Sequence, residues 1–297
     1  MKVRGNFSVA NWNFITDKFY PGIIYDFLNN TKVKEAFKGK DDRDKDNAYL
    51  SHVGKEFGED ILFKEVFGKI ISSQSPILIP GNDGDNNFDL YLRIDKHIFI
   101  FEYKNLMLPK KQTYDEIKEV IDERLVSNNK GEKKGILQLI SQIQKLHDEP
   151  TSFEDFKDFN RSKARLVIYP IIIYADPVLT THGINSYLNK IFRSEVNELT
   201  PKLRFRVQDL VLISKQYFLE NSEFFVKRKI DLVFLINHFY RTLFKQRKDT
   251  LRHQRNPINI HSPFEEVIQS YMKRKKKKPD YDSYYFNYIK KEMFPEE

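Results

Sequence analysis

The chain has 297 residues, 40% of them hydrophobic and 31% charged, with a formal net charge of +8 and no cysteine. Without cysteine there are no disulfides, no thiolate nucleophile and no thiolate-ligated zinc or iron–sulfur cluster. Six positive charges form one run, Lys273, Arg274, Lys275, Lys276, Lys277 and Lys278, so the rest of the chain is close to neutral and the basicity is that of an appended arm rather than of a basic fold.

The first 45 residues open with an aromatic segment (Trp12, Phe14, Phe19, Tyr20, Tyr25, Phe27) that predicts helix with a break at Pro21-Gly22. The charged stretch KGKDDRDKDN that follows reads as an exposed loop. Residues 48–72 have the pattern of a long helix, apolar nearly all round and therefore packed on more than one side. Three short strands come next: 77–79, stopped by Pro80-Gly81, then 88–94, which alternates cleanly, and 97–104, strongly β-prone. Helices are expected over 112–126 and 134–147, with the polar SNNKGEKK turn between them. A buried strand at 165–174, a helix at 181–198 and a strand at 209–214 follow. The remainder reads as helical, with a Phe-rich amphipathic piece at 227–246 and a lysine-rich end.

This order implies a mixed α/β sheet. The segmentation it suggests is a helical extension over 1–45, a core over 46–222 and a helical, lysine-rich region over 223–297. The opening MKVRGNFSVANWNF has no sustained apolar stretch. The longest apolar run, 166–175, is interrupted by Pro170 and is far short of the roughly 20 residues of a membrane span. The expectation is a soluble, cytoplasmic chain with no membrane partner.

The informative segment is NNFDLYLRIDKHIFIFEYKN. A two-residue turn at Asp95-Lys96 pairs Ile94 with His97 and sets Leu92 against Phe99, Leu90 against Phe101 and Phe88 against Tyr103, one continuous apolar face. On the other face Tyr91 meets Ile100, and Asp89 falls opposite Glu102 with Lys104 on the same side. A one-residue slip would turn all three charges into the apolar side. Two carboxylates this close repel unless a cation lies between them, and clustered carboxylate oxygens suit Mg²⁺. The plainer reading is a surface hairpin with a Glu–Lys pair and an unrelated Asp.

Asp89, separated by twelve residues from Glu102 in Phe101-Glu102-Tyr103-Lys104, resembles the D…(E)xK signature of the PD-(D/E)XK nucleases. The resemblance covers about residues 48–214, and Phe88 stands where the eponymous proline would be. It implies a restriction-endonuclease-like αβββαβ core with a mixed central sheet flanked by helices, and helical additions at both ends. It further implies metal-dependent phosphodiester hydrolysis, with Asp89, Glu102 and the main-chain carbonyl of Tyr103 as ligands to Mg²⁺, for which Mn²⁺ can substitute. Lys104 would hold the attacking water and stabilise charge on the phosphate.

Members of the family often carry a glutamate on the helix before the sheet, for which Glu59 is the candidate and Glu56 the alternative. They also often carry a glutamine on the helix after the E-x-K strand. Gln138 is the candidate, with Gln142 one turn further on. A solvated helix carboxylate and polar border residues of an amphipathic helix are the plainer accounts of these positions.

The seven histidines lack metal-ligand spacing, and His97 is expected on the face away from Glu102. The GNDGDNNFD stretch, with Asp83 and Asp85, lacks the spacing of a calcium loop. The run 273–278, flanked by Tyr271, Tyr281, Tyr284 and Tyr285, is a candidate for nucleic-acid contact, or else a solvated basic stretch. The expected function is a Mg²⁺-dependent DNA endonuclease in bacterial defence or restriction. The alternatives are an RNase and a catalytically silent nucleic-acid-binding or scaffolding protein of the same fold. Symmetric double-strand cleavage would need a dimer or two sequential nicks, so a homodimer or a larger defence complex stays open.

Overall fold

The computed structural model describes residues 2–3, 6–7, 27–29, 32–56, 67–68, 77–80, 89–106, 114–127, 131, 133–148, 166–199, 205–226, 231–253 and 261–275. The chain divides into two compact units, Met1–Phe57 and Gly58–Glu297. Most of the N-terminal aromatic segment with its Pro21-Gly22 break, and residues 81–88 with Asp83 and Asp85, lie outside the described residues.

In the first unit β1 (Lys2–Val3) and β2 (Asn6–Phe7) form a short antiparallel pair. A 3-10 turn at Val33–Ala36 precedes α1 (Asp42–Gly54). Here the expected exposed loop is corrected, because KGKDDRDKDN is helical from Asp42 onward. Asp41 is the N-cap, in extended conformation, and its carboxylate accepts the Asp44 N–H at 2.8 Å. Asp42 and Asp44 place negative charge in the first turn, where the unsatisfied N–H groups and the helix dipole favour it. The helix expected from residue 48 therefore begins six residues earlier. Phe37 packs its ring against Tyr49 and His52 on the same helix.

The second unit is built on a sheet with five strand positions. β3 (Ile77–Pro80), β4 (Leu90–Ile94) and β5 (His97–Lys104) are antiparallel neighbours. β6 (Val167–Tyr174) joins β5 in parallel, and the last position is shared by β7 (Arg206–Val207) and β8 (Val211–Ser214), both parallel to β6. Helices α2 (Tyr114–Leu125), α3 (Gly135–Asp148) and α4 (Ile184–Leu199) cover one face. Helices α5 (Lys215–Val226), α6 (Leu232–His253) and α7 (Phe264–Arg274) cover the other. The expected mixed α/β architecture is present. The last sheet position is interrupted, where a single strand was expected.

Pro170 accounts for the interruption. Along β6 the even-numbered residues turn their backbone groups toward β7 and β8: Leu166 and Ile168 accept from Arg206 and Gln208. Pro170 has no N–H to offer on that side, and the ladder stops after Ile168↔Val207 and resumes at Ile171↔Val211. Two asparagines one turn apart on α4 take over there. Asn185 donates to the Leu210 carbonyl and accepts the Leu212 N–H, and Asn189 accepts the Leu210 N–H. Arg193, the next turn along, reaches Asp209 and the Val207 carbonyl. These buried amides satisfy the backbone groups that the gap would otherwise strand.

The strict alternation of β5 separates two cores. Phe99, Phe101 and Tyr103 point into the layer of α5–α7, where the ring of Phe101 lies 5.0 Å from Phe67 and that of Phe99 lies 5.0 Å from Tyr169, centroid to centroid. Ile98 and Ile100 point into the layer of α2–α4. All four residues 98–101 are fully buried.

Candidate active site

The hairpin has the register that its sequence dictates. Leu90 pairs with Phe101, Tyr91 with Ile100, Leu92 with Phe99 and Ile94 with His97. The turn at 95–96 is tight enough to hold Asp95 at φ +52°, a left-handed conformation that aspartate tolerates better than most residues. His97 lies on the face away from Glu102, with its Nδ1 3.1 Å from the Tyr169 hydroxyl.

One expectation is corrected in detail. The ladder starts at Leu90, so Asp89 stands one step beyond it, in a bend, and not within a paired strand. Its Oδ2 accepts the Tyr103 N–H at 2.6 Å. A side-chain carboxylate thus anchors Asp89 to the residue beside Glu102. In a strand the N–H and C=O of one residue point to the same side, so the Tyr103 carbonyl shares the Asp89 edge of β5.

Glu102 and Lys104 follow on the α3 side. Glu102 is only 2% exposed in a layer that is mostly aliphatic and aromatic. The Lys104 ammonium donates to Glu102 Oε1 at 2.6 Å and to Gln138 Oε1 at 2.8 Å. Gln142 Nε2 donates to Glu102 Oε2 at 3.1 Å. The two glutamines, four apart and so on one side of α3, divide the work. Gln138 fixes the amine and Gln142 fixes the carboxylate. A buried carboxylate is costly unless it is paired and hydrogen-bonded, and the Lys104 ammonium and the Gln142 amide meet that condition for Glu102.

The donors fit a hard divalent cation in kind. Two carboxylates and a main-chain carbonyl at one strand end are oxygen ligands of the type Mg²⁺ takes. Among the described residues there is no cluster of three or more His, Cys, Asp or Glu. Glu59 and Lys276, Lys277 and Lys278 lie outside the described residues. Glu56 lies in the first unit with its side chain 53% exposed, 4.0 Å from His52 Nδ1. Lys273, Arg274 and Lys275 are exposed at the C-terminal end of α7, in the layer on the opposite face of the sheet from Glu102.

A second polar group at the same sheet edge was not anticipated. Parallel pairing sets Tyr174 beside Lys104 and Ser214 beside Tyr174, all at the C-terminal ends of their strands. Glu265, in the first turn of α7, accepts the Tyr174 hydroxyl at 3.1 Å and the Ser214 N–H at 2.5 Å. Its Oε2 is buried without a hydrogen-bond partner among the described residues. Burial pushes the Glu265 carboxyl above its ordinary range and, with Glu265 beside it, pushes the Tyr174 phenol up. Burial also pulls the Lys215 ammonium, next along from Ser214, down to about 8. Nothing in the spacing of Tyr174, Ser214 and Glu265 along the chain signals this group, because only the sheet order brings them together.

Comparison of the chain with family models, with curated proteins and with solved structures finds no match. Among the described residues no helix is long and apolar enough to cross a membrane.

Proposed function

We propose that this protein is a metal-dependent nuclease with a restriction-endonuclease-like core, hydrolysing phosphodiester bonds in DNA, of the kind that serves bacterial defence and restriction. The reading rests on one observation above all. Glu102, 2% exposed, is held with Lys104 and two glutamines at the C-terminal end of a central strand, next to an anchored aspartate. The carboxyl ends of parallel strands are where open α/β sheets place their ligands.

Asp89, Glu102 and the Tyr103 carbonyl would hold Mg²⁺, or Mn²⁺ in its place, which when bound supplies Lewis-acid polarisation of the phosphate and offsets its charge. The remaining work falls to the chain's own groups. Lys104 offers three N–H donors on a stem fixed by Glu102 and Gln138, two of which those acceptors take. The third is available to the incoming water or to a non-bridging phosphate oxygen, where charge builds as the P–O bond to the leaving group breaks. Gln142 keeps Glu102 from turning away, so the pair enters the reaction already oriented.

A second reading is favoured by the same geometry. Both Glu102 oxygens already have donors within the chain, a self-contained knot that suits a catalytically silent nucleic-acid-binding or scaffolding protein equally well. The test is incubation of the purified protein with plasmid DNA, and separately with RNA, in Mg²⁺ or Mn²⁺. The nuclease reading expects cleavage that is abolished by EDTA and falls on the order of a thousandfold in Glu102→Ala and Lys104→Ala. DNA retained in a salt-dependent complex but never cut, with RNA also intact, would leave the binding reading in its place.

A further inference from the structure

Helix α6 has two unlike sides. Leu232, Leu235, Ile236, Phe239 and Leu243 are buried against the sheet. The outward side carries Phe234 at 42% and Phe244 at 58% exposure, among the exposed cations Arg241, Lys245 and Lys248. At 100° per residue these five occupy about a third of the helix circumference. No acidic residue occurs from 232 to 248.

The neighbouring helix completes the surface. Tyr271 of α7 lies 5.4 Å from the Phe234 ring and 4.7 Å from the His238 ring, while Phe234 stacks on His238 at 6.1 Å with the planes 15° apart. The Lys248 ammonium sits 4.6 Å above Phe244. Burial, then the charges of Arg274, Arg241 and Lys245, hold the His238 ring below its usual titration range, which puts those three cations around the aromatic group. Exposed phenylalanines alone would suit many partners, but rings interleaved with cations, with acids only at the borders of the patch, Asp231 and Asp249, select a polyanion that also presents flat apolar faces. A duplex hides its base faces. An unpaired strand shows them, with a phosphate at each step.

We propose that the outward face of α6 and α7 binds an unpaired stretch of nucleic acid, with bases on Phe234, Tyr271 and Phe244 and phosphates at Arg241, Lys245, Lys248 and Arg274. The site goes beyond the hydrolytic reading. These helices lie on the sheet face opposite the Glu102–Lys104 side chains, and binding there needs neither residue.

The experiment is fluorescence anisotropy of the full chain, in a Glu102→Gln background, with a labelled oligothymidylate of about 20 nucleotides, long enough for a few stacked bases. A duplex of equal length and vesicles of phosphatidylcholine with phosphatidylserine are run beside it. Affinity for the single strand should exceed that for the duplex. Phe234→Ala with Phe244→Ala should weaken it about thirtyfold or more without changing the salt slope. Arg241→Glu with Lys245→Glu should weaken it at least tenfold and reduce the slope by about 1.4, the share of two phosphates. All four residues are on the surface, and circular dichroism melts confirm that the variants fold. Affinity unchanged in both double variants would overturn the proposal, as would vesicle binding without oligonucleotide binding. Neither outcome depends on whether the parent protein cuts.

Discussion

Phe101 and Glu102 are neighbours on one strand, 0% and 2% exposed, and they face opposite ways. Toward α5–α7, β5 presents Phe99, Phe101 and Tyr103, which need only close packing. Toward α2–α4 it presents Ile98 and Ile100 and then, in place of a further aliphatic pair, Glu102 and Lys104. That second face requires Gln138 and Gln142 on another helix before the charges can be buried at all. Well-packed apolar residues in place of a buried ion pair are often neutral or stabilising. Stability alone therefore gives no reason for the polar quartet, whereas it fully explains the aromatic face. The difference between the two faces is what makes the quartet a functional candidate.

The comparison can be sharpened from either side. On the aromatic face, Phe101→Ala should cost about 3–5 kcal/mol in urea denaturation, the usual range for a buried Phe. A loss under about 1 kcal/mol would mean that this face is not closely packed. On the polar face, Lys104→Met should cost about 3 kcal/mol, because buried Glu102 loses its cation. Adding Glu102→Gln should return most of that loss. A double-mutant cycle with no coupling between the two would show that their 2.6 Å contact is not the interaction that organises the face.

A smaller effect is expected at the interrupted strand. Asn185→Ala removes two of the backbone contacts that bridge the gap, to the Leu210 carbonyl and the Leu212 N–H, and should cost about 2 kcal/mol, read as a shift in melting temperature. The pH-dependent effects concern the second polar group and its neighbour Lys215. Glu265 has its folded-state value raised, so the folded chain keeps a proton that the unfolded chain has already lost. Stability should therefore decline as pH rises above the ordinary carboxylate range, and Glu265→Gln should flatten that decline in melts between acid and neutral pH. Lys215 has the opposite sign. Lowered from 10.5 to about 8, it should make the protein more stable as pH climbs between those values, and Lys215→Met should remove the rise.

Much of the hairpin was legible because two independent patterns agree there. Alternation of apolar residues and a two-residue turn allow only one register, and that register carries Glu102, Lys104 and the apolar partners with it. The placement of Asp89 off the ladder was not legible, since a carboxylate taking a backbone N–H leaves no trace in alternation. Pro170 was visible in the run 166–175, but which neighbouring strand its missing N–H faces depends on sheet order. The acidic stretch after residue 40 is ambiguous in itself, because the same aspartates that solvate a loop also cap and charge a helix start. Gln142 illustrates a different limit. Sequence spacing put it on the correct side of α3, yet only the partner strand decides which of two glutamines meets the carboxylate.

The most direct test of the central claim compares the parent with Lys104→Met/Glu102→Gln, the pair in which the charges are removed together and the fold is kept. Nucleic-acid cleavage in Mg²⁺ is followed for both, with circular dichroism and melting temperature matched beforehand. The account predicts that the parent cuts and that the folded, charge-free variant does not. Equal cleavage by both proteins would contradict it, since the chemistry would then lie elsewhere. Absence of cleavage of DNA and RNA by the parent would also contradict it and make the quartet a structural knot.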